Sequence, residues 1–497
     1  MHRPFGESFP LLYNYLFEMS SEKGMLREIE STRTAKNARV LVLLSNKSTK
    51  TLETCSLMVY NRNALMTFKK RDVFVNKIFR PKIIDTFKNY SGKQFASDLV
   101  AGLIVAIIAL PLSIALAIAS GVSPEKGIYT AIVAGLVISL LGGSRVNISG
   151  PTAAFATIVA GIVMQHGIAG LTVATVMAGI LLIIMGLLRV GALIKYIPKT
   201  ITVGFTSGIA ITILIGQLKD FLGLTFAEGT HAVETSEKIV AVAKSLGTVN
   251  IWALLTGVIG LAILIAWPYV SKKIPGSLIA VLVGSLAIAL LPIQVNTIGD
   301  LYEINGDLPK FDFPKIDGEM IITLFPNAVT IAVLAGIESL LSCVVSDSMI
   351  DDKHNSNTEL IAQGVGNICS GLFGGIPATG AIARTAANVK NGGRSPVSGI
   401  VHAIVLLLVL VVLMPYASLI PMPIIAAVLF IVAYNMSEWR EFVHLCRTER
   451  AFDIIILVLT FTLTVAFDLV VAIAVGMTLV LIERALSKLR EKKKEQV

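Results

Sequence analysis

The chain has 497 residues, of which 54% are hydrophobic and only 15% charged. That balance, with apolar runs of about 20 residues, excludes an ordinary soluble globular protein and indicates a polytopic membrane protein. The net charge of +9 does not argue for nucleic acid, because the basic residues flank apolar runs in the manner of the positive-inside rule.

Positions 1–65 show no sustained helical or strand periodicity, and "RVLVLLSNKST" is at most one strand. The segment reads either as a small cytoplasmic piece or as a spurious upstream extension, with Met66 the true start. Positions 66–97 form a basic cytoplasmic lead-in, with eight basic residues against two acidic ones between Lys69 and Lys93. Apolar spans follow at Asp98–Ser120, Ile128–Leu141, a short Thr152–Met164, Leu171–Leu188, Thr200–Leu218, Ile251–Val270 and Pro275–Ile293. A second series runs Leu324–Val345, Leu360–Phe373, a short Ala378–Val389, Val397–Met414, Ile420–Met436, Phe452–Phe467 and Leu469–Leu486. The transporter domain therefore covers 98–486, and 487–497 is a basic tail.

Fourteen crossings put both termini on one side. Both terminal segments are basic, so a multi-pass cell-membrane protein with both termini cytoplasmic is expected. The loop from Asn296 to Met320 should lie outside, and it carries six acidic residues against Lys310 and Lys315. One inner loop, "SDSMIDDKHNSNTEL", is acidic against expectation; acidic residues weigh little in the rule. Trp252 and Trp267 bracket one span as interfacial aromatics do.

Two spans are too short to cross a bilayer: "SGPTAAFATIVAG" (Ser149–Gly161) and "GGIPATGAIARTAANV" (Gly374–Val389). Pro151 and Pro377 are related by an offset of 226 in the numbering, and that offset sets seven spans against seven. An odd number of spans per half forces the halves into opposite orientations, the inverted-repeat pattern of secondary transporters. Each Pro is expected in a helix's first turn, where its missing N–H costs nothing. Gly150 and Gly380 would let backbone approach a ligand. Two helix starts meeting at the membrane midplane would then clasp a small anion. The alternative is that Gly and Pro kink two ordinary core helices.

Glu338 and Arg384 lie well inside predicted spans. A charge at depth costs about 2.5–3.5 kcal/mol even on lenient scales, and is functional by default. Arg384 lies two turns beyond Pro377 and would add fixed positive charge. Glu338 changes charge by taking up a proton, so it is a candidate coupling group. A purely structural Glu338–Arg384 pair is the other reading. Gln363, Asn367 and Ser370 form a polar stripe, read as bundle glue first and site lining second. Cys55, Cys343, Cys369 and Cys446 are far apart with no CxxC pair, and the histidines are scattered without ligand spacing. No metal site, cofactor site, phosphate loop or catalytic constellation is readable, so an enzyme is not expected.

The stretches "DLVAGLIVAIIALPLSIALAIASGVSPEKGIYTAIVAGLVISLLGGSRVNISGPTAAF" and "GIESLLSCVVSD…ELIAQGVGNICSGLFGGIPATGAIARTAANVKNGGRSPVSG" strongly resemble the SulP family of anion transporters. The resemblance spans about Phe79 to Leu486. It implies a nucleobase-permease-like fold with a core (98–188 and 324–414) moving against a gate (200–293 and 420–486), in a homodimer. It places the anion on Thr152, Ala153, Gly380 and Ala381, with Arg384 nearby and Glu338 in the coupling position. Many members end in a STAS domain, which is not readable here. Sodium-coupled bicarbonate members carry Asp at the Glu338 position and Thr where Ile382 stands, so protons are favoured over sodium. Leu112 stands where many relatives have Gln. The resemblance implies a secondary active carrier of sulfate, bicarbonate or dicarboxylate. An anion channel, exchanger or motor, and a nucleobase–proton symporter on the same fold, remain the alternatives.

Overall fold

The computed structural model describes residues 79–483, apart from residue 89 and the short stretches 193–197, 228–231, 233, 272–273, 292–293, 305, 315–316, 467–470, 473–474 and 481. The expectations for 1–65, for the first part of the basic lead-in and for the tail lie outside the described residues, as does part of the last span.

A short helix α1 (Lys82–Thr86) precedes α2 (Gly92–Ala119), whose start is capped by the Ser91 hydroxyl accepting from the Gln94 amide at 3.2 Å. Next come α3 (Pro124–Leu141), with Pro at its first turn, a strand β1 (Ser149–Pro151), a 3-10 turn (Ala153–Phe155) and α4 (Ala156–Leu187). Gly167 breaks α4 with φ 65° and ψ −168°, a conformation open to glycine and strained for other residues. The predicted third and fourth spans are thus residues 156–166 and 168–187. The chain continues through α5 (Lys199–Leu222), α6 (Thr235–Ser245), α7 (Ile251–Val270), α8 (Gly276–Leu290) and α9 (Ile298–Leu301). The second half contains α10 (Gly318–Ile350), α11 (Ser356–Leu372), β2 (Ala378–Gly380), α12 (Ile382–Lys390), α13 (Val397–Leu413), α14 (Met422–Met436), α15 (Trp439–Thr448) and α16 (Ala451–Ala466).

Two expectations are corrected by this geometry. The prolines do not open helices: Pro151 is in β1, Pro377 precedes β2, and the half-helices start at Ala153 and Ile382. The offset of 226 is also off by three. β1 and β2 pair antiparallel, Ser149 with Gly380, Gly150 with Thr379 and Pro151 with Ala378. This pairing maps onto itself when 149 is laid on 378 and 151 on 380, an offset of 229. That offset superposes α2 on α10 and α3 on α11, and lays 168–184 on α13. Pro151 therefore corresponds to Gly380, and the two prolines are not equivalent. The inverted repeat itself stands: this is an all-α polytopic fold of the fourteen-span, two-halved kind, joined at its centre by a short two-stranded ladder.

α11 packs on α4, α13 on α2 and α3, and α10 on α4 and α12. Gly179 and Gly364 allow the α4–α11 approach: a Cβ on either would sit 2.5–2.6 Å from the other's carbonyl oxygen. A second set joins α5 to α14 and α16, and α7 to α8 and α14; α8 and α14 also touch α2.

Candidate functional site

The ladder delivers two helix starts to one place. Thr152 precedes the 3-10 turn and Ala381 precedes α12, both with extended backbone and neither with a side-chain cap. Ala381 has no group with which to cap, so first-turn N–H groups of α12 have no side-chain acceptor. The start of α12 is open: Ile382 and Ala383 are exposed and Ala381 is half-buried, while Thr152 and Ala153 are buried.

Arg384 sits one turn into α12 and is fully buried. Its Nη2 donates to the Pro151 carbonyl, which ties the second half-helix to the first strand. Its Nε and Nη1 have no hydrogen-bond partner. Nη1 lies over Gly150, where any Cβ would collide with it. A buried guanidinium with one of three nitrogens paired retains strong capacity for an anion. Glu338, on α10, is half-buried and accepts from the Thr152 hydroxyl at 3.1 Å. It forms no ion pair with Arg384 within 4.0 Å, so the two are not a closed structural pair.

The ladder is held by polar groups from neighbouring helices. The Ser339 hydroxyl accepts from the Gly380 amide at 2.9 Å and shares a 2.7 Å hydrogen bond with Thr379. Asn367 donates to the Ala378 carbonyl and accepts from its amide, both at 2.8 Å, and Gln363 donates to Ser149 Oγ at 2.9 Å. Ser370 donates to the Ile376 carbonyl at 2.7 Å. The polar stripe therefore anchors strands, as the glue reading has it. Gly380 faces this framework: a Cβ there would collide with the Asn147 side chain, not with an open space at the helix start.

The Sulfate permease family model matches residues 95–460. The chain belongs to the sulfate permease family. YvdB of Bacillus subtilis (strain 168), which carries the name of a sulfate transporter, is 48% identical over 395 residues, covering 79% of this chain and 74% of its own. The bicarbonate transporter BicA of Picosynechococcus is 33% identical over 401 residues, 78% of this chain and 69% of its own. The transmembrane domain of a cyanobacterial BicA superposes with a TM-score of 0.70 at 30% identity, covering 77% of this chain and 98% of that one. The sulfate permease family is one of transporters, and this chain is a transport protein, not an enzyme.

Three residues of this sulfate permease site escape sequence reasoning. Glu359, read as part of an acidic inner loop, is fully buried in α11. It accepts from the amides of Gly143 and Ser144 and from the side chains of Asn147 and Gln363, at 2.7–3.2 Å. Asn147 in turn accepts from Ser342 and Thr385, so one carboxylate organises the approach to both strands. His402 on α13 is fully buried with neither ring nitrogen partnered, beside Gly135 and within electrostatic reach of Arg384. No spacing signal marks any of the three, because each acts on the opposite half of the chain or from an isolated position. Two more acids of that loop have partners: Asp352 pairs with Lys82 at 3.0 Å and Arg145 at 2.9 Å, and Asp347 contacts His354 at 2.7 Å.

Proposed function

We propose that the protein is a secondary active carrier of a small anion (sulfate, bicarbonate or a dicarboxylate) coupled to protons. The observation that carries this reading is the meeting of two uncapped helix starts beside a buried arginine with two unpartnered nitrogens. Helix N-termini and a guanidinium are both selective for negative charge. The anion lies against Thr152, Ala153, Ala381 and Arg384; Gly380, expected there from the sequence, has its amide on Ser339 and serves the strand behind them. Glu338, hydrogen-bonded to Thr152 at the start of the first half-helix, exchanges the coupling proton, so that protonation and anion occupancy act on the same helix end. The names of YvdB and BicA support sulfate and bicarbonate as the first ions to try.

The packing also supports a division into moving parts. A core of 98–188 and 324–414 holds the ladder, and a gate of 200–293 and 420–486 packs largely on itself. Elevator-like movement of core against gate then carries the bound ion across. The expected assembly is a homodimer in the cell membrane, with the basic ends cytoplasmic.

The test is uptake of labelled sulfate, bicarbonate and succinate into proteoliposomes at two external pH values. Accumulation of at least one anion, stimulated by an inward proton gradient, is expected. Glu338→Gln should remove the gradient's effect while anion exchange survives. Undiminished pH-driven accumulation in that variant refutes the coupling role, and no uptake of any anion refutes the carrier.

A further inference from the structure

The first half-helix carries an open face along its length. Thr157, Gly161 and Met164 follow at steps of four and three residues, so they stack on one side. Thr157 and Met164 are exposed, and a side chain at Gly161 would meet no atom within 4 Å. The stripe begins just past Thr152 and ends at a cavity of about 240 Å³ lined by Met164, Ile215, Lys219, Phe226, Lys238 and Val242. α5 supplies the facing wall: Ile211, Ile215 and Lys219 recur every four residues, and the 3-10 turn that opens the half-helix touches α5.

Two lysines charge this otherwise largely apolar cavity. Lys238 is half-buried, and burial pushes its amine below the usual lysine value, with the charge of Glu237 acting the other way. The Lys219 ammonium lies 5.1 Å over the Phe226 ring, which holds it at the cavity. Among the described residues, neither lysine has a carboxylate within 4.0 Å; Asp220 and Glu237 are the acidic groups that act on them electrostatically. Lys219 is exposed and Lys238 half-buried, and two cations lining one cavity are stabilised by an anion between them.

We propose that this cavity is an outer capture site for a small inorganic oxyanion, held by Lys219 and Lys238 and passed along the Thr157–Gly161–Met164 face to the helix starts. The passage to the centre rests on the transport reading; the binding does not. The first measurement is therefore binding alone. Full-length protein in lipid nanodiscs is acylated with a water-soluble ester, with and without sulfate at constant ionic strength, and each lysine is followed by mass spectrometry. Sulfate should slow modification of Lys219 and Lys238 severalfold and leave the exposed Lys310 unchanged. The protection should persist in Arg384→Ala. Equal rates with and without sulfate overturn the site, and so does protection that disappears with Arg384.

The second measurement is sulfate uptake by the Lys219→Gln/Lys238→Gln double variant. Its KM should rise about tenfold at low ionic strength, with maximal rate within twofold, and the gap should narrow as salt screens the charges. Replacing both lysines by arginine should restore the wild-type KM. A double variant with wild-type KM and wild-type salt dependence overturns the capture role. Absence of sulfate uptake in the wild type would instead refute the transport reading, and the acylation result would still decide the site.

Discussion

The two half-helices share a symmetry axis and differ in chemistry. The offset of 229 sets Thr152 against Ala381 and Phe155 against Arg384. Phe155 and Arg384 are equally buried, at 0% and 1% exposure. One half fills that place with an aromatic ring, the other with a guanidinium. Glu338 likewise has an apolar counterpart, the buried Ala109 of α2. Arg384 and Glu338 thus both belong to the second half, and the first meets them with a hydroxyl (Thr152) and a carbonyl (Pro151). Inverted repetition supplies two helix ends in opposition; the charge comes from one copy alone.

The sharpest way to break this comparison is bulk at the helix starts. Ala381→Leu projects from a half-buried position at the open end of α12 and should abolish sulfate binding while the protein stays folded and monodisperse. Gly380→Leu should behave differently, because its side chain would drive into Asn147 and displace β2. Loss of thermal stability should accompany that change, which makes Gly380 a probe of the ladder. Wild-type affinity in Ala381→Leu would mean that the anion sits elsewhere.

Next in size is the equivalent pair. Arg384→Ala should weaken sulfate binding about ten- to a hundred-fold, since a charge-assisted contact is worth roughly 1.5–3 kcal/mol. Arg384→Lys should rescue poorly, because an ammonium cannot both hold the Pro151 carbonyl and present a planar fork. Phe155→Leu should keep affinity near wild type at a stability cost of about 1–1.5 kcal/mol. Titration calorimetry with sulfate, beside thermal unfolding of each variant, reads both. Equal losses of affinity at 155 and 384 would show that the halves share the chemistry after all.

A smaller effect is expected from making the first half resemble the second. Thr152→Ala copies Ala381 and leaves Glu338 without its hydroxyl donor. Glu338 carries a proton for part of the cycle, so the ordinary hydrogen-bond contribution of about 0.5–1.5 kcal/mol applies. The expected result is a roughly two- to twelve-fold weakening of the proton-gradient response in uptake, with Thr152→Ser retaining it.

The halves are readable in the sequence to different degrees, for physical reasons. Long spans such as α2 and α10 announce themselves because lipid demands unbroken apolar runs. Arg384 and Glu338 stand out because charges are costly there. The boundaries shift at Gly and Pro, which suit a helix start and an extended strand equally; only pairing through Gly150 and Thr379 decides between them. α6 and α15 carry too many polar residues to leave a hydropathy signal. Glu359 looks like a loop acid because its four donors come from a loop in the other half of the chain and from its own helix. Long-range satisfaction of this kind leaves no periodic trace.

The smallest effect expected concerns the turns between the first two spans of each half. In the first half, Ser120–Ser123 closes tightly without charge; in the second, Asp352 holds Lys82 of α1 and Arg145 of the loop leading to β1. Burial works to raise the Asp352 carboxyl, but the Lys82 hydrogen bond, a backbone hydrogen bond and the charges of Lys82 and Arg145 outweigh it, and its value is lowered. A depressed folded value means that the pairing stabilises the protein above the unfolded carboxyl range near 4, and that this contribution is lost as pH falls through the folded value. The carboxylate is about 29% exposed, so solvent screening limits its contribution to under about 1 kcal/mol. Asp352→Asn should therefore lower the unfolding temperature by no more than about 1–2 °C at pH 7, and less at high salt. As pH falls through the lowered folded value, the variant and the wild type should converge. Ser123→Ala, at the uncharged counterpart, should show no such pH or salt dependence. A large, salt-insensitive loss in Asp352→Asn would mean that the acidic turn fixes the approach to β1 itself, and that the asymmetry between the halves extends from the binding site to the fold.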